Sequence, residues 1–290
     1  MANQFLLLLL ACHFSLAQQN RSDLTDLISA ENAFAQQVNE TSIKAAFLAN
    51  LDSTGVLFDG SVPVNGIKQY SSATENKNNL LSWYPVTAQV SVSGDIGFTS
   101  GPYKYFAERG KGAIGSGYFF SIWKRNENGK FKLVLDGGTY NTAGHDQIFE
   151  GNLGLKETGL RDRKIRMLVN DKKESPWASE ELFSKLAKND PQKSYQKFLG
   201  DSVWTLRSDK QIARSKMQNL KLMKEQKVQS YDFKQDGLGM SSTMDLAYCY
   251  GQVKEKNAGN QQSGFYVRIW QFQTQGWRII ADVISLGNNQ

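Results

Sequence analysis

Several carboxylates and phenols of this 290-residue chain could support acid–base chemistry. Asp52, Asp136 and Asp282 are the candidate carboxylates, and Asp136 and Asp282 lie at matched ends of apolar segments predicted to be strands. Tyr84, Tyr103, Tyr118 and Tyr140 are the candidate phenols. A carboxylate base beside a phenol donor in an apolar pocket can remove a proton next to a carbonyl group, because the developing oxyanion is stabilised where water is excluded.

Metal, histidine and dinucleotide chemistry have little support in the residue pattern. The chain has two histidines, and His145 is the one that lies outside the predicted leader described below. No His, Cys and carboxylate cluster has the spacing of a zinc site. Gly110, Gly112 and Gly115 match the letters of the dinucleotide fingerprint, but a predicted strand follows them where that fingerprint requires a helix. We therefore expect no metal and no cofactor.

The two halves of the chain share a sequence pattern. Residues 93–101 resemble residues 243–251, so that Asp95 and Gly101 are matched by Asp245 and Gly251, 150 positions further on. The match continues from 117–123 to 264–270 and from 129–136 to 276–282. A single long period indicates two copies of one domain, because solenoid repeats have much shorter periods. Residues kept in both halves, including the strand-end carboxylates at 136 and 282, are more simply explained as structural.

Aromatic residues without a counterpart in the second half are better candidates for a binding site. Those near the proposed mouth of the first copy are Trp83, Tyr84, Tyr103 and Tyr105, and Tyr118 completes the predicted ligand-binding set. A functional site in one copy need not survive in the other. The sequence therefore favours a small apolar or aromatic ligand in the first half.

Charge and targeting signals limit the possible partners. The formal net charge of +6 is mild, and the basic residues do not cluster as a nucleic-acid site requires. Residues 5–11 form an apolar core too short to span a bilayer, followed by small residues before a cleavage point after Ala17. We expect a signal peptide at 1–17 and export to the periplasm or medium; lipidation of Cys12 is the alternative. Nothing else is a transmembrane candidate.

Hydrophobic periodicity gives the same element order in both halves. The first domain is predicted at 22–145, a linker at 146–175 and the second domain at 176–290. Each domain has two helices, a strand, a further helix, placed at about 66–82 in the first half, and then antiparallel strands. This pattern indicates an α+β fold with helices on one face of a curved antiparallel sheet, which leaves a cone with a hollow end.

The motifs of the first half resemble a known superfamily. Residues 90–103, 117–123 and 128–136 are similar to the SnoaL-like exported members of the nuclear-transport-factor-two-like (NTF2-like) superfamily, which includes ketosteroid isomerase. The resemblance covers most of 22–145 and is weaker in 177–290. It implies a cone fold with a pocket but no particular reaction. Because members commonly pair their sheets as dimers, it also implies that this chain forms such a pair internally and is monomeric.

Three hypotheses about function remain open from the sequence. The leading one is an exported, non-catalytic protein that binds a small apolar molecule. The second is a lyase or isomerase of the SnoaL or ketosteroid-isomerase type, acting on a small apolar carbonyl compound with Asp52 or Asp136 as the base. The third is a protein-interaction module in which the cavities are filled by their own side chains.

Overall fold

A computed structural model describes residues 22–142, 156–157 and 175–287. The predicted signal peptide, Cys12 and His145 lie outside these ranges, as does nearly all of the predicted linker. In the described part of the chain, no helix is both long enough and apolar enough to cross a membrane. Over the same ranges, no group of three His, Cys, Asp or Glu side chains is placed to hold a metal ion.

The first unit, residues 22–142, contains three helices and seven strands. Its helices are α1 (22–40), α2 (Ile43–Asn50) and α3 (Gly66–Ser72). Its strands are β1 (Leu51–Asp59), β2 (Val62–Asn65), β3 (Leu80–Trp83), β4 (Thr87–Val90), β5 (Ile96–Phe106), β6 (Gly115–Arg125) and β7 (Phe131–Tyr140). A two-residue strand, β8 (Lys156–Glu157), pairs with β4.

The second unit, residues 175–287, has the same succession of elements. Its helices are α4 (Pro176–Ala187), α5 (Pro191–Phe198) and α6 (Lys216–Glu225). Its strands are β9 (Leu199–Arg207), β10 (Ala213–Ser215), β11 (Val228–Met240), β12 (Leu246–Asn257), β13 (Asn260–Gln273) and β14 (Gly276–Gly287).

The two sheets have the same strand order. The first runs β2-β1-β7-β6-β5-β4-β8, with β3 also paired to β5, and the second runs β10-β9-β14-β13-β12-β11. In each sheet the first long strand pairs in parallel with the last, β1 with β7 and β9 with β14. The hairpin strands between them are antiparallel. The α+β class predicted from the sequence is therefore confirmed.

Local signals fix most helix ends, but one predicted helix was too long. Ser42 caps α2 by accepting from the backbone N–H of Ala45, and Asp190 caps α5 in the same way. The helix predicted at about 66–82 ends at Ser72 instead. Asn76 accepts from the N–H of Asn78, a side-chain turn that competes with helix, and the chain then enters β3.

Two apolar layers lie between the helices and their sheets, and a third lies between the sheets. The third layer joins residues of both units, among them Phe98 and Ile122 of the first and Val267 and Ile269 of the second. The sheets therefore pack face to face, with the helices of each unit on its outer side.

Two matched turns tie the units together at one end of this interface. Asp95 accepts a hydrogen bond from the N–H of Ser242 at 2.9 Å, and Asp245 accepts one from the N–H of Val92 at 3.0 Å. Both carboxylates are placed as structural residues. Residues of both units thus meet within one chain, while the family-type pairing and the monomeric state that the resemblance implied remain predictions.

Candidate ligand cavity of the first unit

A cavity of about 350 Å³ lies between the helices and the sheet of the first unit. Three helices and five strands of the first unit contribute to its wall, together with one strand of the second unit. The lining residues are Phe34, Phe47, Leu57, Phe58, Gln69, Tyr70, Leu81, Trp83, Tyr103, Phe119, Asp136, Gly137, Gly138, Thr139, Tyr140 and Phe265. Aromatic rings dominate this set, so the cavity is suited to a molecule that is largely apolar.

The aromatic walls are held by contacts with each other. The ring of Phe34 meets that of Trp83 edge-on, with centroids 4.9 Å apart. On the other side, Phe47 stacks on Tyr70 with a centroid distance of 4.5 Å. Such pairs restrict ring motion, because offset and edge-on arrangements are favoured over others. The cavity therefore has a preformed shape.

Among the residues that the structure describes, Asp136 supplies the one carboxyl group in the cavity lining. It lies on β7 opposite Ser121 of β6, whose hydroxyl donates to Asp136 Oδ1 at 2.7 Å. Burial raises the pKa of Asp136 to about 8, against the lowering effect of the Ser121 hydrogen bond, and the nearby carboxyl of Glu31 raises it further. No Lys or Arg of the described residues forms an ion pair with it. Its neutral and ionised forms are therefore both accessible near neutral pH.

Two phenols flank this carboxyl group. Burial raises the pKa of Tyr103 to about 12, and the charge of Asp136 adds to the shift. The same two causes, in the same order, raise the pKa of Tyr70. Both hydroxyls therefore stay protonated over the physiological range, and each can donate a hydrogen bond to a ligand oxygen.

A second buried carboxyl, Glu31 of α1, lies behind the cavity wall. It accepts hydrogen bonds from Trp83 Nε1 at 2.6 Å, Trp123 Nε1 at 2.8 Å and the Thr99 hydroxyl. Burial raises its pKa despite these donors. Glu31 was not among the residues predicted from the sequence, although a signal for it was present. It interrupts the apolar stripe of its helix, between Leu27 and Phe34, where a charged residue must point into the core.

The matching position in the second unit carries opposite electrostatics. Asp282 of β14 pairs with Arg268 of β13, as Asp136 pairs with Ser121. Arg268 donates to one Asp282 oxygen at 2.8 Å, and both Arg207 and Tyr195 donate to the other. Burial alone would raise the pKa of Asp282, but the two guanidinium groups and these hydrogen bonds lower it. Asp282 is therefore an ionised member of a buried charge network.

The second unit also has large side chains at two positions where the first has small residues. The guanidinium of Arg268 lies over the rings of Phe183, Phe233 and Tyr266, at 3.9, 4.6 and 5.1 Å from their centroids. Ile284, fully buried, takes the register position that Gly138 has in the first sheet. The two cores thus have the same strand register, but the position beside the carboxyl holds the small Ser121 in one and the large Arg268 in the other.

The structure brings some of the predicted site residues together. Trp83, Tyr103 and Asp136 line the cavity. Tyr105 is absent from the described lining, and Tyr84 is 48% exposed. The other two candidates lie elsewhere.

Tyr118 and Asp52 face the space between the units rather than the cavity. Tyr118 is half-buried against the apolar layer between the sheets. Asp52 accepts from the backbone N–H and hydroxyl of Thr54, at 2.9 and 2.7 Å, and lines a separate groove beside Tyr248 and Tyr250. Burial would raise the pKa of Asp52, but these hydrogen bonds and nearby lysines lower it. Its geometry is that of a local turn residue.

No model of a known protein family and no curated protein matches this sequence. Solved structures do match it. An NTF-2 like protein of unknown function from Shewanella oneidensis MR-1 is 12% identical, with a TM-score of 0.33, over 38% of this chain and 99% of its own. An NTF2-like protein from Cytophaga hutchinsonii is 13% identical, with a TM-score of 0.31, over 39% and 95%.

A third solved structure, an LEH-like epoxide hydrolase from M. tuberculosis, is 12% identical, with a TM-score of 0.31, over 38% of this chain and 76% of its own. Each match covers little more than a third of this chain, which is close to the extent of one unit. The solved structures that the chain matches include NTF2-like proteins, the superfamily that its sequence motifs resemble.

Proposed function

We propose that this chain is an exported small-molecule-binding protein whose ligand site is the cavity of the first unit. One observation carries the proposal: an aromatic cavity contains a single carboxyl without an ion-pair partner among the described residues, flanked by Tyr70 and Tyr103. Buried polar groups are normally hydrogen-bonded or paired. A ligand with one polar group would satisfy Asp136 and the phenols while its apolar part fills the cavity.

The size of the cavity limits the ligand. A cavity of about 150 Å³ accepts benzene, so one of about 350 Å³ has room for two fused rings. The ligand would not be an anion, because a permanent negative charge would meet the carboxyl of Asp136 and the aromatic faces without a cation. We therefore propose a compact two-ring compound with one hydroxyl or carbonyl group. 2-Naphthol, which is fluorescent, is a suitable probe.

Binding of 2-naphthol to two single-hydroxyl variants tests this proposal. Tyr103→Phe removes a phenol from the cavity lining, and it should weaken binding about 3- to 10-fold, the usual cost of one hydrogen bond. Tyr105→Phe is the matched control, since it makes the same change two residues along β5, outside the lining. Equal affinities of the two variants, or no binding to the unmodified chain, would contradict the assignment of the site.

Proton transfer at Asp136 is a second candidate function, favoured by one specific observation. Because its pKa is raised to about 8, the ionised carboxylate is a stronger base than an ordinary aspartate and is still present near neutral pH. It would take an α-proton from a bound ketone, whose C–H electron pair becomes the double bond of an enolate. Tyr103 or Tyr70 would donate to the enolate oxygen, and Asp136 would return the proton to carbon.

Deuterium exchange separates binding from this reaction. We would follow the α-protons of 2-tetralone in D₂O by NMR, with the unmodified chain and with Asp136→Asn. An enzyme would accelerate the exchange, the rate would rise with pH through about 8, and the Asn variant would lose the acceleration. If the unmodified chain binds the ligand but does not accelerate the exchange, proton transfer is excluded and the non-catalytic binding function is supported.

A further inference from the structure

One lining residue of the cavity comes from the second unit. Phe265 lies on β13, yet it contacts the space enclosed by the helices and sheet of the first unit. It is 7% exposed and belongs to the apolar layer between the sheets. The cavity wall is therefore incomplete without the second unit.

Phe265 is held in this place by a ring of the first unit. Its ring stacks on that of Phe58, with centroids 3.9 Å apart and an interplanar angle of 7°. Phe58 also lines the cavity, so the pair forms one continuous aromatic wall. At the end of β7, the Tyr140 hydroxyl donates to the carbonyl of Leu286 at 2.7 Å and ties the two units beside this wall.

The backbone next to Asp136 leaves room for the aromatic pair. A Cβ atom at Gly137 would lie 3.1 Å from Phe58 Cδ2 and 3.2 Å from Phe265 Cε2, closer than most side-chain contacts. A residue with a side chain would push the rings away. The Phe58–Phe265 pair therefore packs against Gly137, the residue after Asp136, and so lies at the polar end of the ligand site.

We propose that Phe265 determines the ligand size that the first cavity accepts, and that the second unit, whose own core holds the Arg268 guanidinium, serves to complete the site. This inference rests on the proposed function of the cavity. With Phe265 in place, the wall limits the ligand to about two rings. Without it, the cavity would extend into the layer between the sheets and admit a third ring.

The test compares 2-naphthol with the three-ring phenol 9-phenanthrol, which carries the same polar group. Phe265→Ala should raise the affinity for 9-phenanthrol relative to 2-naphthol by about 10-fold or more, the usual scale of discrimination in an apolar pocket. Phe265→Leu, a smaller change that keeps an apolar side chain, should shift the ratio in the same direction. It keeps the test valid if the Ala variant does not fold.

Tyr118→Ala is the matched control. Tyr118 has the same place on β6 as Phe265 on β13, one residue after matching glycines, and packs against the same apolar layer outside the cavity lining. It should leave the affinity ratio unchanged. Binding of 2-naphthol that depends on Tyr103, with the same ratio in all Phe265 variants, would overturn this inference alone. No binding of either probe to the unmodified chain would overturn the proposed function and this inference with it.

Discussion

The carboxyls at matched places in the two sheets have opposite environments. Asp136 pairs with a serine, faces an open cavity and has a raised pKa. Asp282 pairs with an arginine, is fully buried among charges and has a lowered pKa. The same strand arrangement thus places a cavity beside the carboxyl in one unit and a buried charge network around it in the other. The difference teaches that the partner residue at 121 or 268 decides whether the carboxyl is available to a ligand.

The largest expected effect is that of Asp282→Asn. Among the described residues, the substitution would leave Arg207 buried without its acid partner and Arg268 buried with Glu180 alone. Removing one member of a buried ion network costs about 3–5 kcal/mol, so the free energy of unfolding at pH 7 should fall by that amount. Denaturant unfolding with fluorescence detection measures it. A loss below about 1 kcal/mol would show that the network is not a structural core.

Asp136→Asn, the same substitution at the matched position, should act in the opposite direction. Because the folded pKa of Asp136 is raised to about 8, folding at pH 7 must take up a proton that the unfolded chain lacks. Asn needs no proton, so the variant should be more stable by up to about 4 kcal/mol at pH 7, on the scale of 1.4 kcal/mol for each of the roughly three units between the unfolded pKa and pH 7.

The pH dependence of this gain has a defined sign. In the unmodified chain, the penalty at Asp136 grows as pH rises from the unfolded pKa, about 3.9, toward about 8. The advantage of Asp136→Asn should therefore vanish near pH 4 and increase up to pH 8. The contribution of Asp282 runs the other way, since its lowered pKa stabilises the fold above the unfolded pKa and is lost on acidification. If Asp136→Asn were less stable than the unmodified chain at pH 7, the raised pKa of Asp136, and with it the contrast with Asp282, would be contradicted.

The smallest expected effect is that of Ser121→Ala. The Ser121 hydroxyl stabilises the ionised form of Asp136 and so lowers its pKa. Its loss should raise the pKa of Asp136 by about one unit, equivalent to one hydrogen bond of ordinary strength. NMR titration of the Asp136 carboxyl carbon measures this shift. An unchanged pKa would mean that Ser121 does not hold the carboxyl in solution.

Much of the fold could be predicted from the sequence, since strand alternation, turn residues and helix caps are local signals. The prediction of a helix as far as residue 82 was wrong beyond Ser72, because the side chain of Asn76 bonds the backbone N–H of Asn78 and competes with helical hydrogen bonds. Within the site, Trp83, Tyr103 and Asp136 were predicted, but Glu31 was not. Long-range packing accounts for the rest: no local pattern could show that Phe265 of one unit reaches the cavity of the other, or that Arg268 fills the matching core.

The most direct test of the account is the NMR titration of the Asp136 carboxyl with and without 2-naphthol, with Asp136→Asn used to assign the signal. We expect the Asp136 carboxyl to titrate with a midpoint near pH 8. This midpoint should move when 2-naphthol binds, because ligand and carboxyl share the cavity. A midpoint near pH 4, unchanged by saturating probe, would contradict it, because Asp136 would then be an ordinary solvated carboxylate outside any ligand site.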